Sequence, residues 1–304
     1  MSQTIERMLQ ALRPQVQARV WLISDLQQSV PERACRCLTT AVEDFQNLDM
    51  PPDRIWYLGD ATEGTDIAAI GEMVEMQVEM LTALGVPLRY VIGNHDFDYW
   101  RRAVGAGPVV VPFLDAVKRT PGWETTPTLD AFHFVEELAG HLVVFLSDHA
   151  DPDGAWLATF GKVFGQSDAY PHDQAAYDAL RARIAQAGKP VITAAHYAFA
   201  GGNRDSESGL LNPLLPLPEN VRVHFCAHAH VGDRRWAGKD AFRKIACVDE
   251  QAVPQVNVAS LDNDRGSQTR SVILELYADG TLGIYFRDHE SRRWPESYHL
   301  TPRP

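Results

Sequence analysis

The sequence predicts an α/β protein with a layered core, on two observations. Short, strongly apolar segments bounded by turn residues alternate with amphipathic ones, and after His230 the alternation gives way to consecutive strand-like runs. Arg19–Ser24, Arg54–Gly59, Leu88–Gly93, Leu142–Ser147, Val191–Ala195 and Val221–Ala227 read as buried strands, being rich in Val, Ile and aromatics. Glu32–Leu48, Ala68–Leu84 and Gln174–Gln186 carry apolar residues at helical spacing between them. Thr65-Asp66 and His172-Asp173 supply N-cap positions for the second and third of these helices. Helices between early strands imply crossover units and a mostly parallel central sheet. Downstream, Gln255–Ser260, Ser271–Tyr277 and Thr281–Phe286 read as strands, the last two joined by a hairpin turn at Ala278-Asp279-Gly280. No repeat, low-complexity tract or linker divides the chain, so a single domain over residues 1–304 is expected, with a long loop at Gly201–Pro218.

Composition narrows the function classes. Apolar residues make up 45% of the 304, enough for a sizeable core. The formal net charge of −12 argues against a general nucleic-acid binder, which needs a basic face to release counterions. Runs such as Val109–Val111 and Leu142–Leu146 fall far short of the roughly 18 apolar residues of a membrane span. The start, Met-Ser-Gln-Thr-Ile-Glu-Arg, has no apolar signal segment, and Ser2 stands where myristoylation needs glycine. A soluble, cytoplasmic protein without membrane contact is the expectation. Cys35, Cys37, Cys226 and Cys247 form no CxxC pair and read as reduced, mostly buried thiols. Neither a Cys-x5-Arg motif nor a phosphate-binding loop ending in Lys-Ser/Thr is present.

The chemistry gathers at strand ends. Trp21-Leu-Ile-Ser-Asp25-Leu-Gln27, Trp56-Tyr-Leu-Gly-Asp60-Ala-Thr-Glu63 and Tyr90-Val-Ile-Gly-Asn94-His95-Asp96 each finish an early strand in residue types that bind metals. Two later strands finish in Ala195-His196 and in Ala227-His228-Ala229-His230. Ligands of parallel sheets bind beyond the carboxyl ends of the strands, so these pieces converge on one edge. One Asp after a strand is explained by helix capping; five strand ends supplying Asp, Asn or His are not. Carboxylate, imidazole and amide donors suit Mn²⁺, Fe and Zn²⁺, and a carboxylate can bridge two ions.

The ordered series Asp-x-Gln, Gly-Asp-x-x-Glu, Gly-Asn-His-Asp, isolated His and Ala-His-x-His resembles that of the calcineurin-like metallophosphoesterases, and spans Asp25 to His230. The resemblance implies a layered αββα-type sandwich with central mixed sheets. It implies hydrolysis of a phosphomonoester, phosphodiester or phosphoanhydride by a hydroxide bridging two divalent metal ions (Mn foremost, with Fe, Zn or Mg as alternatives). Carried over by position, Asp25, Asp60 and His230 hold one ion, with Gln27 where most members have a ligand histidine. Asp60 bridges to a second ion held by Asn94, His196 and His228. His95 is then the catalytic histidine, oriented by Asp96, with Glu63 supporting the ligands. Ala227 also departs from the family pattern, which has glycine there. Asp25-x-Gln27 is similar to the manganese-dependent ADP-ribose/CDP-alcohol diphosphatase branch, as are Ala41-Val-Glu-Asp-Phe45, Val86-Pro87 and Gly93-Asn-His-Asp-Phe97 with Tyr99-Trp100. Gln27 either ligates directly, where its amide oxygen, a harder and weaker ligand than imidazole, favours Mn²⁺, or reaches the metal through water or not at all.

A small phosphorylated molecule or nucleotide derivative is therefore the expected partner. Tyr197, Tyr99 and Arg101 are candidates for contacting it, and Phe97, Trp100, Arg204 and Arg234 lie near the same motifs. His149, in Ser-Asp-His after a strand, matches no motif but has a suitable place. The rival class is a silent binding or scaffold protein of the same fold. Gln27 is the only residue that favours it.

Overall fold

The computed structural model describes residues 15–48, 51–63, 66–97, 112–125, 132–147, 174–199, 214–228, 230, 245–248, 253–263 and 268–302. It has a four-layer αββα arrangement. The first half supplies β1 (Val16–Ile23), α1 (Pro31–Gln46), β2 (Arg54–Tyr57), α2 (Ile67–Thr82), β3 (Leu88–Tyr90), α3 (Pro112–Arg119) and β4 (Trp123–Thr125). It continues with β5 (His133–Leu138), β6 (His141–Leu146), α4 (Gln174–Ala185), β7 (Val191–Ala195), β8 (Val221–Cys226), β9 (Ile245–Val248) and β10 (Val253–Asn257). Three strands close the chain: β11 (Arg270–Tyr277), β12 (Leu282–Asp288) and β13 (Arg293–Leu300).

The strands form two mixed sheets, ordered β13-β12-β11-β1-β2-β3-β4 and β5-β6-β7-β8-β10-β9. The two mixed sheets agree with the αββα sandwich that the motif series implies, whereas local alternation alone suggests a single, mostly parallel central sheet. The parallel runs β1–β4 and β6-β7-β8-β10 belong to different sheets, each finished by antiparallel partners. The division rests on β11 pairing antiparallel with β1, for example Ile273 opposite Trp21. A contact so distant in sequence leaves no local signal. β5 and β13 also escape the sequence reading, because each is half exposed and lacks a continuous apolar run.

Three apolar layers hold the sandwich. Val20, Leu22, Trp56, Phe145, Val223, Phe225, Val256, Leu274 and Phe286 meet between the sheets, with the Trp56 ring edge-on to Phe145 at 5.2 Å. α1, α2 and α3 pack Leu38, Phe45, Met73 and Phe113 on the outer face of the first sheet. α4 places Tyr177, Leu180 and Ile184 against the outer face of the second. Asp66 caps α2, its carboxylate accepting from Ala68 N at 2.9 Å, whereas the His172-Asp173 cap lies outside the described residues. The Ala278–Gly280 turn joins β11 to β12, with Gly280 at φ +81° and Thr281 N donating to Asp279 Oδ1 at 2.8 Å.

One buried polar network pins α1. Arg287 donates to both oxygens of Asp44 at 2.7 and 2.6 Å, and His289 Nδ1 lies 2.9 Å from Oδ2. His289 Nε2 meets Ser271 Oγ at 2.7 Å, and that oxygen accepts from Trp21 Nε1 at 2.7 Å. Ser, His and Asp stand in hydrolytic order, but Ser271 is fully buried and its hydroxyl is engaged by Trp21 and His289, so the trio is structural. The Ala41–Phe45 stretch thus serves helix docking: Asp44 anchors the network and Phe45 stacks on Trp21 at 4.4 Å.

Burial opposes ionisation of Asp44, but the bonds from Arg287 and His289 outweigh it and hold the carboxyl at about 2. Burial pushes His289 below its ordinary value, against the pull of Asp44, so it is a neutral ring that donates from Nδ1 and accepts at Nε2. Both groups bind fewer protons folded than unfolded, so their stabilisation is complete above about pH 6.5 and is lost as pH falls. Urea unfolding of the metal-depleted protein is expected to show stability declining from pH 7 to pH 4. The His289→Gln variant should have a shallower slope, by up to about 1.4 kcal/mol per pH unit. Equal slopes would remove His289 from the account.

Candidate metal centre

β1, β2, β3, β7 and β8 all deliver their carboxyl ends to one edge of the sandwich, where the two sheets meet. The chain turns sharply there. Asp25, Asp60, His228 and His230 are all non-glycine residues at positive φ (52°, 55°, 62° and 43°). Such strain persists where the surroundings over-determine it, and clusters at functional sites. Asp25 N donates to Gly59 O at 3.0 Å, and Gln27 N to Asp60 O at 3.1 Å, so the first two loops are laced by backbone.

Two glycines set the spacing of the next pair of loops. A Cβ on Gly93 would stand 2.2 Å from Asp60 Oδ1 and 2.4 Å from Asp60 N. One on Gly59, at φ +89°, would stand 2.6 Å from Gly93 N and 2.8 Å from His196 Nδ1. Only hydrogen fits at either place.

The predicted ligands come together in two groups, Asp25 with Asp60 and His230, and Asp60 with His196 and His228. Within each group the donor atoms lie within 4.8 Å of one another, and Asp60 is common to both. His230 Nε2 stands 3.1 Å from Asp25 Oδ1, and His196 Nε2 stands 3.1 Å from Asp60 Oδ2. Asn94 Oδ1 joins the second group, 3.1 Å from His196 Nε2 and 3.0 Å from His228 Nδ1. His196 Nδ1 faces Leu58 O at 2.7 Å, which turns its other nitrogen toward the donors.

These residues fit a pair of divalent cations. Donor separations of about 3 Å match the edge of an octahedron with arms of about 2.1 Å. Asp25, Asp60 and Asp96 are buried acids in one small space. Burial resists the charge on Asp60, but His196, His95 and His228 hold its carboxyl far below the ordinary range. Burial likewise resists the charge on His196, and Asp60 and Asp25 overcome it, raising the imidazole to about 10. Burial, then the charge of Asp60, pushes Asp96 up to about 7. Buried carboxylates this close need positive charge, which metal ions bring.

The other predicted residues surround these donors. Asp96 accepts from Asp60 N at 3.0 Å, Ala61 N at 2.9 Å and Gly93 N at 2.7 Å, so its carboxylate ties the second loop to the third. Gln27 is buried, and Glu63 is half-buried in the second loop. His95 is half-buried, with its backbone N–H on Asp60 Oδ1 at 2.7 Å. Tyr197 is buried beside the ligands, its ring 5.1 Å from that of His196 and 4.8 Å from that of His228. Tyr99, Trp100, Arg101, His149, Arg204 and Arg234 lie outside the described residues, as does the Phe97 side chain.

Sequence reasoning missed Gln77. Fully buried on α2, it donates to Ala61 O at 2.8 Å and accepts from Tyr57 Oη at 2.9 Å, steadying the Asp60 loop. A signal existed: Gln77 interrupts the apolar stripe Ile70, Met73, Val74 and Leu81 of a helix that follows a ligand loop.

Fold and donors together define an αββα protein with a two-cation site at one sheet edge. Residues 18–232 match the family model of the calcineurin-like phosphoesterases, and the chain belongs to that family. No curated protein matches it. Among solved structures, it is similar to the purple acid phosphatase PPD1 from yellow lupin (Lupinus luteus) seeds, at 13% identity and a TM-score of 0.50. That match covers 95% of this chain and 54% of the lupin protein, so this chain spans about half the length of that relative. The protein TT1561 of Thermus thermophilus is similar at 14% identity and a TM-score of 0.44, over 94% of this chain and 100% of that one. At 13% identity the likeness to the lupin protein concerns the fold. No helix among the described residues is long and apolar enough to cross a membrane.

Proposed function

We propose that this chain is a dinuclear metal-dependent phosphohydrolase that cleaves a phosphoester or phosphoanhydride by direct attack of water. The observation that carries this reading is the membership of Asp60 in two donor groups at once. Asp25, Asp60 and His230 would hold one ion, and Asp60, Asn94, His196 and His228 the other. Ions so held supply Lewis acidity toward phosphoryl oxygens and lower the pKa of water.

The remaining work falls to the chain itself. His95, half-buried and with its backbone N–H fixed to Asp60, donates a proton to the leaving oxygen. Burial raises the thiols of Cys37 and Cys226, which stay protonated and are poor nucleophiles, in keeping with a route without a covalent phosphoenzyme. Replacing His95 by Ala is expected to leave two ions bound while kcat falls by about 10²–10⁴. Metal analysis beside steady-state kinetics checks this, and loss of an ion would make His95 a ligand instead.

Within that reaction class, the substrate we favour is a nucleotide diphosphate derivative, and the metal Mn²⁺. Gln27 supports both, through its place in Asp-x-Gln and the hardness of its amide oxygen. The net charge of −12 supports a small substrate over a nucleic acid. The test is chelator-stripped protein given Mn²⁺, Mg²⁺, Zn²⁺ or Fe²⁺ singly, against p-nitrophenyl phosphate, bis-p-nitrophenyl phosphate, cyclic AMP, ADP-ribose and CDP-choline. Manganese-dependent cleavage of ADP-ribose or CDP-choline is the expected result. Preference for the simple esters would keep the hydrolase and discard the diphosphate substrate. Silence with metals bound would favour a binding protein, the reading that the Gln27 departure supports.

A further inference from the structure

A sixth strand ends at the same edge without offering a ligand. β10 runs parallel to β8, and its side chains and those of the loop after it reach three ligand-bearing loops in turn. Gln255 Oε1 accepts from Phe199 N at 2.6 Å, and its Nε2 donates to Phe199 O at 3.5 Å, gripping the loop that carries His196. Asn257 Nδ2 donates to Ala227 O at 2.8 Å, the residue before His228, while its Oδ1 accepts from Ala259 N at 2.9 Å. Ser260 Oγ and Asp262 N both donate to Asp25 O at 2.9 Å, and Leu261 N donates to Ser24 O at 3.0 Å. Gln255, Asn257 and Ser260 are 1%, 3% and 0% exposed, so water does not compete for these bonds.

Two of the three gripped loops carry strained backbone. Asp25 and His228 both hold positive φ without being glycine, a conformation that surroundings must impose. Their loops come from opposite sheets, and the 257–262 segment spans them.

We infer that β10 and the loop after it act as a clamp whose positioning residues Gln255, Asn257 and Ser260 pre-order the ligand loops for divalent metal binding. This rests on the dinuclear reading above. A loop already held in its metal-bound shape incurs no reordering cost when the ion arrives, so loosening the clamp weakens affinity. The test uses full-length, metal-depleted protein and its Ser260→Ala, Asn257→Leu and Gln255→Leu variants. Mn²⁺ is titrated calorimetrically, and melting is followed with and without Mn²⁺. The expected result is a Kd for Mn²⁺ raised about 10–100-fold, with a smaller Mn²⁺-induced gain in Tm. Bonds that serve only the fold would lower both melting temperatures equally and leave Kd within about twofold, which overturns the clamp. Should Asn257→Leu not fold, Ser260→Ala removes a single oxygen atom and reads the same quantities. A wild-type chain that binds none of Mn²⁺, Zn²⁺ or Fe²⁺ would instead overturn the metal centre, a separate outcome.

Discussion

Replacing Asp60 by asparagine is expected to remove both metal ions and to lower kcat by about 10³ or more, the equivalent of several kcal/mol of lost charge stabilisation. Asparagine keeps the shape and can still accept the His95 N–H that Asp60 Oδ1 now takes at 2.7 Å. What it loses is the negative charge shared by two donor groups. A neutral amide would contribute one weak oxygen donor where the carboxylate would serve both cations, so neither site is expected to keep its affinity. The imidazole of His196, raised to about 10 mainly by Asp60 against its own burial, should return toward its ordinary value. Metal analysis and turnover on the same preparation check this. A variant that binds two ions and turns over at the wild-type rate would refute the shared role.

Gly93→Ala is the second large effect, and it acts through space rather than charge. The added methyl meets Asp60 Oδ1 at 2.2 Å and the Asp60 backbone nitrogen at 2.4 Å. The nitrogen cannot swing aside, because it donates to Asp96 Oδ2, which also accepts from Gly93 N. Relief therefore requires the Asp60 and Asn94 loops to part. Overpacking of this kind costs about 1–3 kcal/mol of stability, and parted loops separate the donors shared by the two groups. Urea unfolding and Mn²⁺ titration of the variant should show both losses. Gly71, inside α2 with nothing within 4 Å of an added Cβ, is the control. Alanine there should leave metal binding alone and raise stability by about 0.5–1 kcal/mol. A Gly93→Ala protein with wild-type metal affinity would show that the loops are not held as closely as described.

Much of the site was legible because its residues are chemically improbable where they stand. Asp25, Asp60, Asn94, His196, His228 and His230 end apolar strands, and charged or imidazole side chains do not gather there by packing alone. Their order along the chain survives translation into space because parallel strands place their carboxyl ends on one edge. In the sequence Gln255, Asn257 and Ser260 are only parts of a strand-like run, since a side chain that bonds to a backbone carbonyl has no obligatory type. Asp96 illustrates the same limit: its place in the motif marks it as important, but nothing in the motif shows that it accepts from the backbone N–H groups of Asp60, Ala61 and Gly93.

By itself the sequence determined the residue chemistry: which donors exist, how acidic the chain is and where helices and buried strands alternate. These properties are local, carried by side-chain type and by spacing over a few residues. The tertiary structure alone decided which strands share each sheet, how close the donors on the separate loops stand, and that Asp25, Asp60, His228 and His230 sit at positive φ. Each of those depends on groups brought together from far along the chain, as when Ser260 meets Asp25 across 235 positions. Such contacts are selected by the packing of the whole sandwich, and a window of neighbouring residues does not encode them.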